Sequence, residues 1–248
     1  MHPEFFHGSL KFYQSEDAFR LGTDAMVLAD FARIPPGAAV CDLCAGTGAV
    51  GLLLLARDRS LSITAVELQE ASCATLRRSV AENGLGDRLT VLCADLREHR
   101  TALPHGGFRH VVCNPPYDPV SAGAAPENPA AAIARTEVCC TLTDAVTAAR
   151  WLLQTGGSLD LVHRPERLTD VLTALRAAGL EPKRLRLVRH RAEKQPSLVL
   201  IRAVLGGRPG LAVEPDCVLY EADGAPSADY RRIYHLQERN ESCPESST

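Results

Sequence analysis

Hydrophobic and polar positions along the chain fall into two alternating periods. Short β-branched or leucine-rich runs occupy Ala39–Leu43, Ser62–Leu68, Leu89–Ala94, Phe108–Cys113 and Ser158–His163, the pattern of strands buried on both faces. Between them, apolar residues recur at helical spacing in Phe19–Ala32, Ala49–Ala56, Ser72–Asn83, Leu142–Leu153 and Pro165–Ala178. Thr23-Asp24 reads as an N-cap pair, Asn83-Gly84 as a C-cap, Gly156-Gly157 as a helix terminator and Pro165 as a first-turn proline. Lys183–Arg189 and Ser197–Leu205 alternate around Glu193–Pro196, too few residues for a crossover helix, so these two strands are antiparallel. Phe5–Asp17 is turn-rich and predicts a short hairpin or arm, with His7-Gly8-Ser9 as its turn. Strand–helix alternation with short loops predicts an α/β fold: a mostly parallel sheet with helices on both faces and an antiparallel closing strand.

No internal repeat and no second core-sized unit interrupts the 248 residues, which predicts one domain. The chain opens without a basic and apolar leader, and its longest apolar run, near Val50–Ala56, is far too short to span a bilayer. Nine cysteines without an export signal predict reduced thiols and a cytoplasmic setting. Cys41 and Cys44 form a C-x-x-C, but no second pair stands at zinc spacing, so no metal is expected.

The predicted strand ends carry the candidate chemistry. Val111-Val112-Cys113 runs into Asn114-Pro115-Pro116-Tyr117, where the prolines stop the ladder and leave an amide and an aromatic ring at a strand's carboxyl end. Asparagine is no general base, so Asn114 suits recognition of a flat, amine-bearing group, and Tyr117 offers a face to stack on it. A proline turn with a capping asparagine and a packed tyrosine is the structural alternative. Upstream, Gly46-x-Gly48-x-x-Gly51 follows the first strand and Glu67 ends the second, a match to a dinucleotide fingerprint. Asp42 argues against NAD, because a carboxylate beside the turn repels a pyrophosphate and suits an ammonium and a sulfonium. Asp42, Gly46, Gly48, Glu67 and Asp95 therefore read as one S-adenosylmethionine site, with Glu67 on the ribose hydroxyls and Asp95 on the adenine amine.

Charge adds a candidate partner. The net charge of −3 conceals Lys183–Arg208, which holds eight Lys/Arg against the single acid Glu193. Such a face suits a polyanion, and a solvated strand pair is the plain alternative.

The residues Arg20-Leu21-Gly22-Thr23-Asp24-Ala25 with Gln14, Asp42 to Gly48, Val66-Glu67-Leu68, Ala94-Asp95 and Asn114–Tyr117 resemble the class I S-adenosylmethionine-dependent methyltransferases of the Asn-Pro-Pro-Tyr group. Within that group the chain is similar to the bacterial tRNA1(Val) adenine-37 N6-methyltransferases. The likeness continues through Glu181–Arg186, Pro196–Ile201, Gly206–Gly210 and Tyr230–Tyr234. It implies a Rossmann-like, seven-stranded sheet with an N-terminal arm and lid (1–36), a core (37–237) containing a substrate loop (118–134), and a polar tail (238–248). It implies cofactor contacts from Thr23, Asp24, Asp42, Cys44, Ala45, Gly46, Gly48, Glu67, Leu68, Asp95, Leu96 and Asn114, with Phe5 and Phe6 beside Thr23 and Asp24 on the cofactor side. Asn114 and Pro115 would accept the two hydrogens of the target amine, and Tyr117 would stack on its ring. Cys44 departs from the family, which has the loop's first glycine there. RNA, with tRNA foremost, is the expected substrate, met by Pro116 and by Lys183, Arg184, Arg186, Arg189, Arg191 and Lys194. Guanine N2 of ribosomal RNA, glutamine N5 of a protein, and a non-catalytic cofactor-binding scaffold remain alternatives.

Overall fold

The computed structural model describes residues 4–6, 10–13, 22–117 and 140–234. Glu4–Phe6 (β1) and Leu10–Phe12 (β2) form an antiparallel two-stranded sheet. The expected 118–134 loop, the 238–248 tail, Gln14 and Arg20-Leu21 lie outside the described residues.

The main sheet is built from Ala39–Leu43 (β3), Ser62–Glu67 (β4), Leu89–Cys93 (β5), Phe108–Cys113 (β6), Leu153–His163 (β7), Leu180–Arg189 (β8) and Pro196–Leu205 (β9). Their order is β5-β4-β3-β6-β7-β9-β8, with β9 antiparallel to both neighbours and the other pairings parallel. Two short strands, Ala212–Val213 (β10) and Cys217–Val218 (β11), lie along β8 and bring the sheet to nine rather than seven. They are two residues each, with Val213 largely exposed, so no hydrophobic period announces them.

The period-two alternation of each central strand divides the core. Val40, Ala65, Val112, Val162 and Leu200 face one layer, with Thr23–Phe31 (α1), Ala49–Arg57 (α2) and Glu70–Glu82 (α3). Cys41, Leu43, Val66, Val111, Leu161 and Ile201 face the other, with Leu142–Leu152 (α5) and Leu168–Ala177 (α6); the short His99–Ala102 (α4) precedes them. Ala228–Ile233 (α7) closes the described chain.

Several local expectations change. Gly22, not Thr23 or Asp24, is the α1 N-cap, and the Asp24 carboxylate is used elsewhere. Gly156-Gly157 lies inside β7, at its register shift against β6, and does not end α5. A Cβ on Gly157 would stand 3.0 Å from the Arg109 carbonyl oxygen, so glycine allows that close approach. Pro165 opens a single 3₁₀ turn ahead of α6. Asn83-Gly84 does end α3: Gly84 is left-handed, and the Gly84 and Leu85 N–H groups reach back to Ala81 and Val80.

Candidate active site

All five parallel central strands end on one side of the sheet, at Leu43, Glu67, Cys93, Cys113 and His163. Sheets of this kind bind ligands at that edge. The sequence-predicted residues Asp42, Cys44, Ala45, Gly46, Gly48, Glu67, Leu68, Asp95 and Asn114–Tyr117 gather there.

The turn after β3 explains its own residues. Gly48, with φ 86°, is the α2 N-cap and has no side chain to satisfy the helix's first donors. Asp42 does so from the strand: its Oδ2 accepts from the Gly51 N–H at 2.9 Å. Gly51 makes room, since a Cβ there would lie 3.2 Å from that oxygen. The other oxygen, Oδ1, is buried without a hydrogen-bond partner among the described residues. Asp42 is 1% exposed, and burial, opposed by the Gly51 bond and reinforced by the Glu67 charge, lifts it to about 7. Cys44, where the resembled family has a glycine, is left-handed at φ 57°, a conformation costing an L-residue roughly 1–2 kcal/mol. Its thiol sits against those of Cys113 and Cys140.

Glu67 holds the loop together. Its Oε2 accepts from the Gly46 N–H at 2.8 Å and its Oε1 from the Gln69 N–H at 2.9 Å. Burial raises its pKa despite those bonds. Leu68 is an exposed large apolar side chain immediately beside it. Asp95 stands at the next strand end, but its carboxylate caps a 3₁₀ turn and pairs with Arg97, which lowers its pKa. Leu96 is buried in the second core layer.

Asn114 and Tyr117 meet directly. The Tyr117 hydroxyl lies 2.5 Å from Asn114 Oδ1 and 3.1 Å from Asp24 Oδ2. Burial, then Asp24, raises the phenol well above its ordinary pKa, so it stays protonated and donates. Two further groups flank the ring, neither singled out from sequence. The His163 imidazole lies 5.3 Å from it and the Arg164 guanidinium 5.1 Å above it. His163 accepts the Arg164 N–H on Nδ1, and its buried Nε2 has no partner among the described residues. Burial pulls its pKa down to about 4, so the ring is neutral. Its only sequence signal was a polar residue closing an apolar strand. Thr23 approaches the Tyr234 hydroxyl at 3.4 Å.

The expected cationic face is divided. Arg184 pairs with Glu214, Arg186 with Asp229 and Arg189 with Asp216, all partly buried along β8. Lys183 donates to the Arg208 carbonyl at the end of β8 remote from the strand ends. Arg191 and Lys194 follow the carboxyl end of β8, on the same edge as Asn114, and have no carboxylate partner among the described residues. Arg164 belongs with them. No cluster of three metal-ligating side chains and no helix long and apolar enough to cross a membrane occurs among the described residues.

The methyltransferase small domain family model matches residues 15–176. A tRNA1(Val) (adenine(37)-N6)-methyltransferase of Aeromonas salmonicida is 28% identical over 219 residues, covering 88% of this chain and 89% of that protein. A protein of the same name from Porphyromonas gingivalis is 26% identical over 193 residues, 75% of each. The crystal structure of a predicted O-methyltransferase from Agrobacterium tumefaciens superposes with a TM-score of 0.70 at 23% identity, covering 86% of this chain and 96% of that one. The chain belongs to the methyltransferase small domain family and is an S-adenosylmethionine-dependent methyltransferase with a Rossmann-like sheet. The donor set agrees: a buried carboxylate oxygen without a partner suits a cationic cofactor and would repel a pyrophosphate.

Proposed function

We propose that this chain is an N6-adenine methyltransferase of structured RNA, with an anticodon-loop adenine of a tRNA as its acceptor. The observation that carries the reading is Asn114 at the end of β6, its amide oxygen at the strand-end edge and beside the Tyr117 ring. An aromatic exocyclic amine is a poor nucleophile because its lone pair is delocalised into the ring. Asn114 Oδ1 and the Pro115 carbonyl can accept its two hydrogens and draw the nitrogen toward a tetrahedral form, by positioning and preorganised electrostatics. Tyr117, braced by His163 and Arg164, offers the stacking face for a base that has left its own stack. S-adenosylmethionine supplies the methyl group, and Asp42, Glu67, Gly46 and Leu68 are the residues that would hold it. No strong base is required, since the nitrogen's proton becomes acidic only after transfer. The names of the relatives favour tRNA, and Arg164, Arg191 and Lys194 give a cationic approach beside the site.

Methyl transfer from labelled S-adenosylmethionine to an unmodified tRNA transcript, followed by nucleoside mass spectrometry, tests the reading. N6-methyladenosine is expected. N2-methylguanosine, or methylated protein with unmodified RNA, would contradict it.

A further inference from the structure

One hydroxyl proton serves two acceptors at the centre of the site. Tyr117 Oη is 2.5 Å from Asn114 Oδ1, the oxygen that would receive the target amine, and 3.1 Å from Asp24 Oδ2. In the free protein the hydroxyl occupies one of the two acceptor sites of that amide oxygen, so an arriving amine must share the oxygen with it. Asp24 is equipped to relieve that sharing. It is 7% exposed, and its Oδ1 is held by the Ala25 N–H at 2.9 Å, which fixes the carboxylate and leaves Oδ2 for the phenol. The ring itself need not move. Packed against His163 and Arg164, it can pass its proton's direction from one acceptor to the other by rotation about the C–O bond alone. We propose that Asp24 is a positioning residue that takes over the Tyr117 hydroxyl when the target amine occupies Asn114.

This rests on the reading that Asn114 accepts the amine. Without Asp24, the largely buried Tyr117 hydroxyl has only Asn114 Oδ1 and must crowd the arriving amine there or give up its bond, and an unpaired buried donor is costly. The penalty falls on the productive complex and is absent when the hydroxyl is absent.

The test is steady-state transfer to the tRNA transcript with D24A, Y117F and the double variant, alongside calorimetry with S-adenosylmethionine. D24A is expected to lower kcat/KM for the transcript about tenfold at saturating S-adenosylmethionine, the scale of one unpaired buried donor. In the Y117F background the same substitution is expected to cost less than twofold. A D24A loss that persists undiminished in Y117F, or no D24A loss at all, overturns the proposal. Should D24A not fold, D24N replaces it. Its one amide oxygen stays with the Ala25 N–H and its NH2 cannot accept from the phenol, so the same loss and the same disappearance in Y117F are expected. N114A separates the two levels. A fully active N114A overturns both, whereas an inactive N114A with an undiminished D24A loss in Y117F overturns the positioning role alone.

Discussion

The strand-end edge and the β8 edge of the sheet are both rich in charged and polar side chains, yet they use them in opposite ways. Along β8 and β9 each buried or half-buried arginine meets a carboxylate: Arg184 with Glu214, Arg186 with Asp229, Arg189 with Asp216, and Arg202 with the fully buried Asp160. At the strand ends, Asp42 Oδ1 and His163 Nε2 are buried without partners among the described residues, Cys44 is held left-handed, and the Tyr117 hydroxyl is shared between two acceptors. Buried polar groups are normally satisfied, so these two atoms beside the strand ends are candidates for a ligand's contacts. The paired edge holds the fold, and the unpaired edge is where chemistry is proposed.

Breaking the paired edge should cost the most. Arg202 donates through Nε and Nη2 to both oxygens of Asp160, which is 0% exposed. R202A strands that carboxylate and is expected to lower unfolding stability by about 3–5 kcal/mol in denaturant titration, with any activity loss following the unfolded fraction. A loss under about 1 kcal/mol would show that the pair is not a structural clamp. N114A should do the reverse: a stability loss of about 1 kcal/mol or less, the scale of the lost Tyr117 hydrogen bond, and a fall in methyl transfer at saturating cofactor of roughly 10²–10³-fold, the scale for removing one preorganised polar group. The smallest effect sharpens the contrast between the two sets of cations. Glutamine at Arg164, Arg191 and Lys194 should reduce the slope of RNA affinity against salt by about 0.7 for each phosphate no longer neutralised. Glutamine at Arg184 and Arg186 should leave that slope unchanged, because these guanidiniums already serve Glu214 and Asp229. The opposite pattern would return β8 to the role of RNA face.

That division also marks what the sequence made legible. β3 and β6 match their apolar runs residue for residue, because buried parallel strands need continuous β-branched or leucine stretches. Asp42, Glu67, Asp95 and Asn114 could be gathered at one edge from strand ends alone. The arginine-rich stretch misled because a charge count reads neighbours in the chain, whereas the neutralising acids lie 30, 43 and 27 residues away from Arg184, Arg186 and Arg189. For the same reason the sequence offers Asp24 as a helix cap and a cofactor contact but not as a partner of Tyr117, which is 93 residues on. His163 and Arg164 carried no motif, and only the packing of the Tyr117 ring reveals them.

The most direct test of the contrast is calorimetry of S-adenosylmethionine binding between pH 6 and 7, with and without Asp42→Asn. Burial lifts Asp42 to about 7, so the free site retains its proton below that pH and a cationic cofactor must expel it. Binding is expected to release a proton and to tighten as pH rises from 6 to 7. Asp42→Asn, which keeps an amide oxygen for the Gly51 N–H, is expected to bind more weakly and to abolish both effects. Equal affinity in the two proteins, with no proton released by either, would make Asp42 a helix cap only and contradict the account.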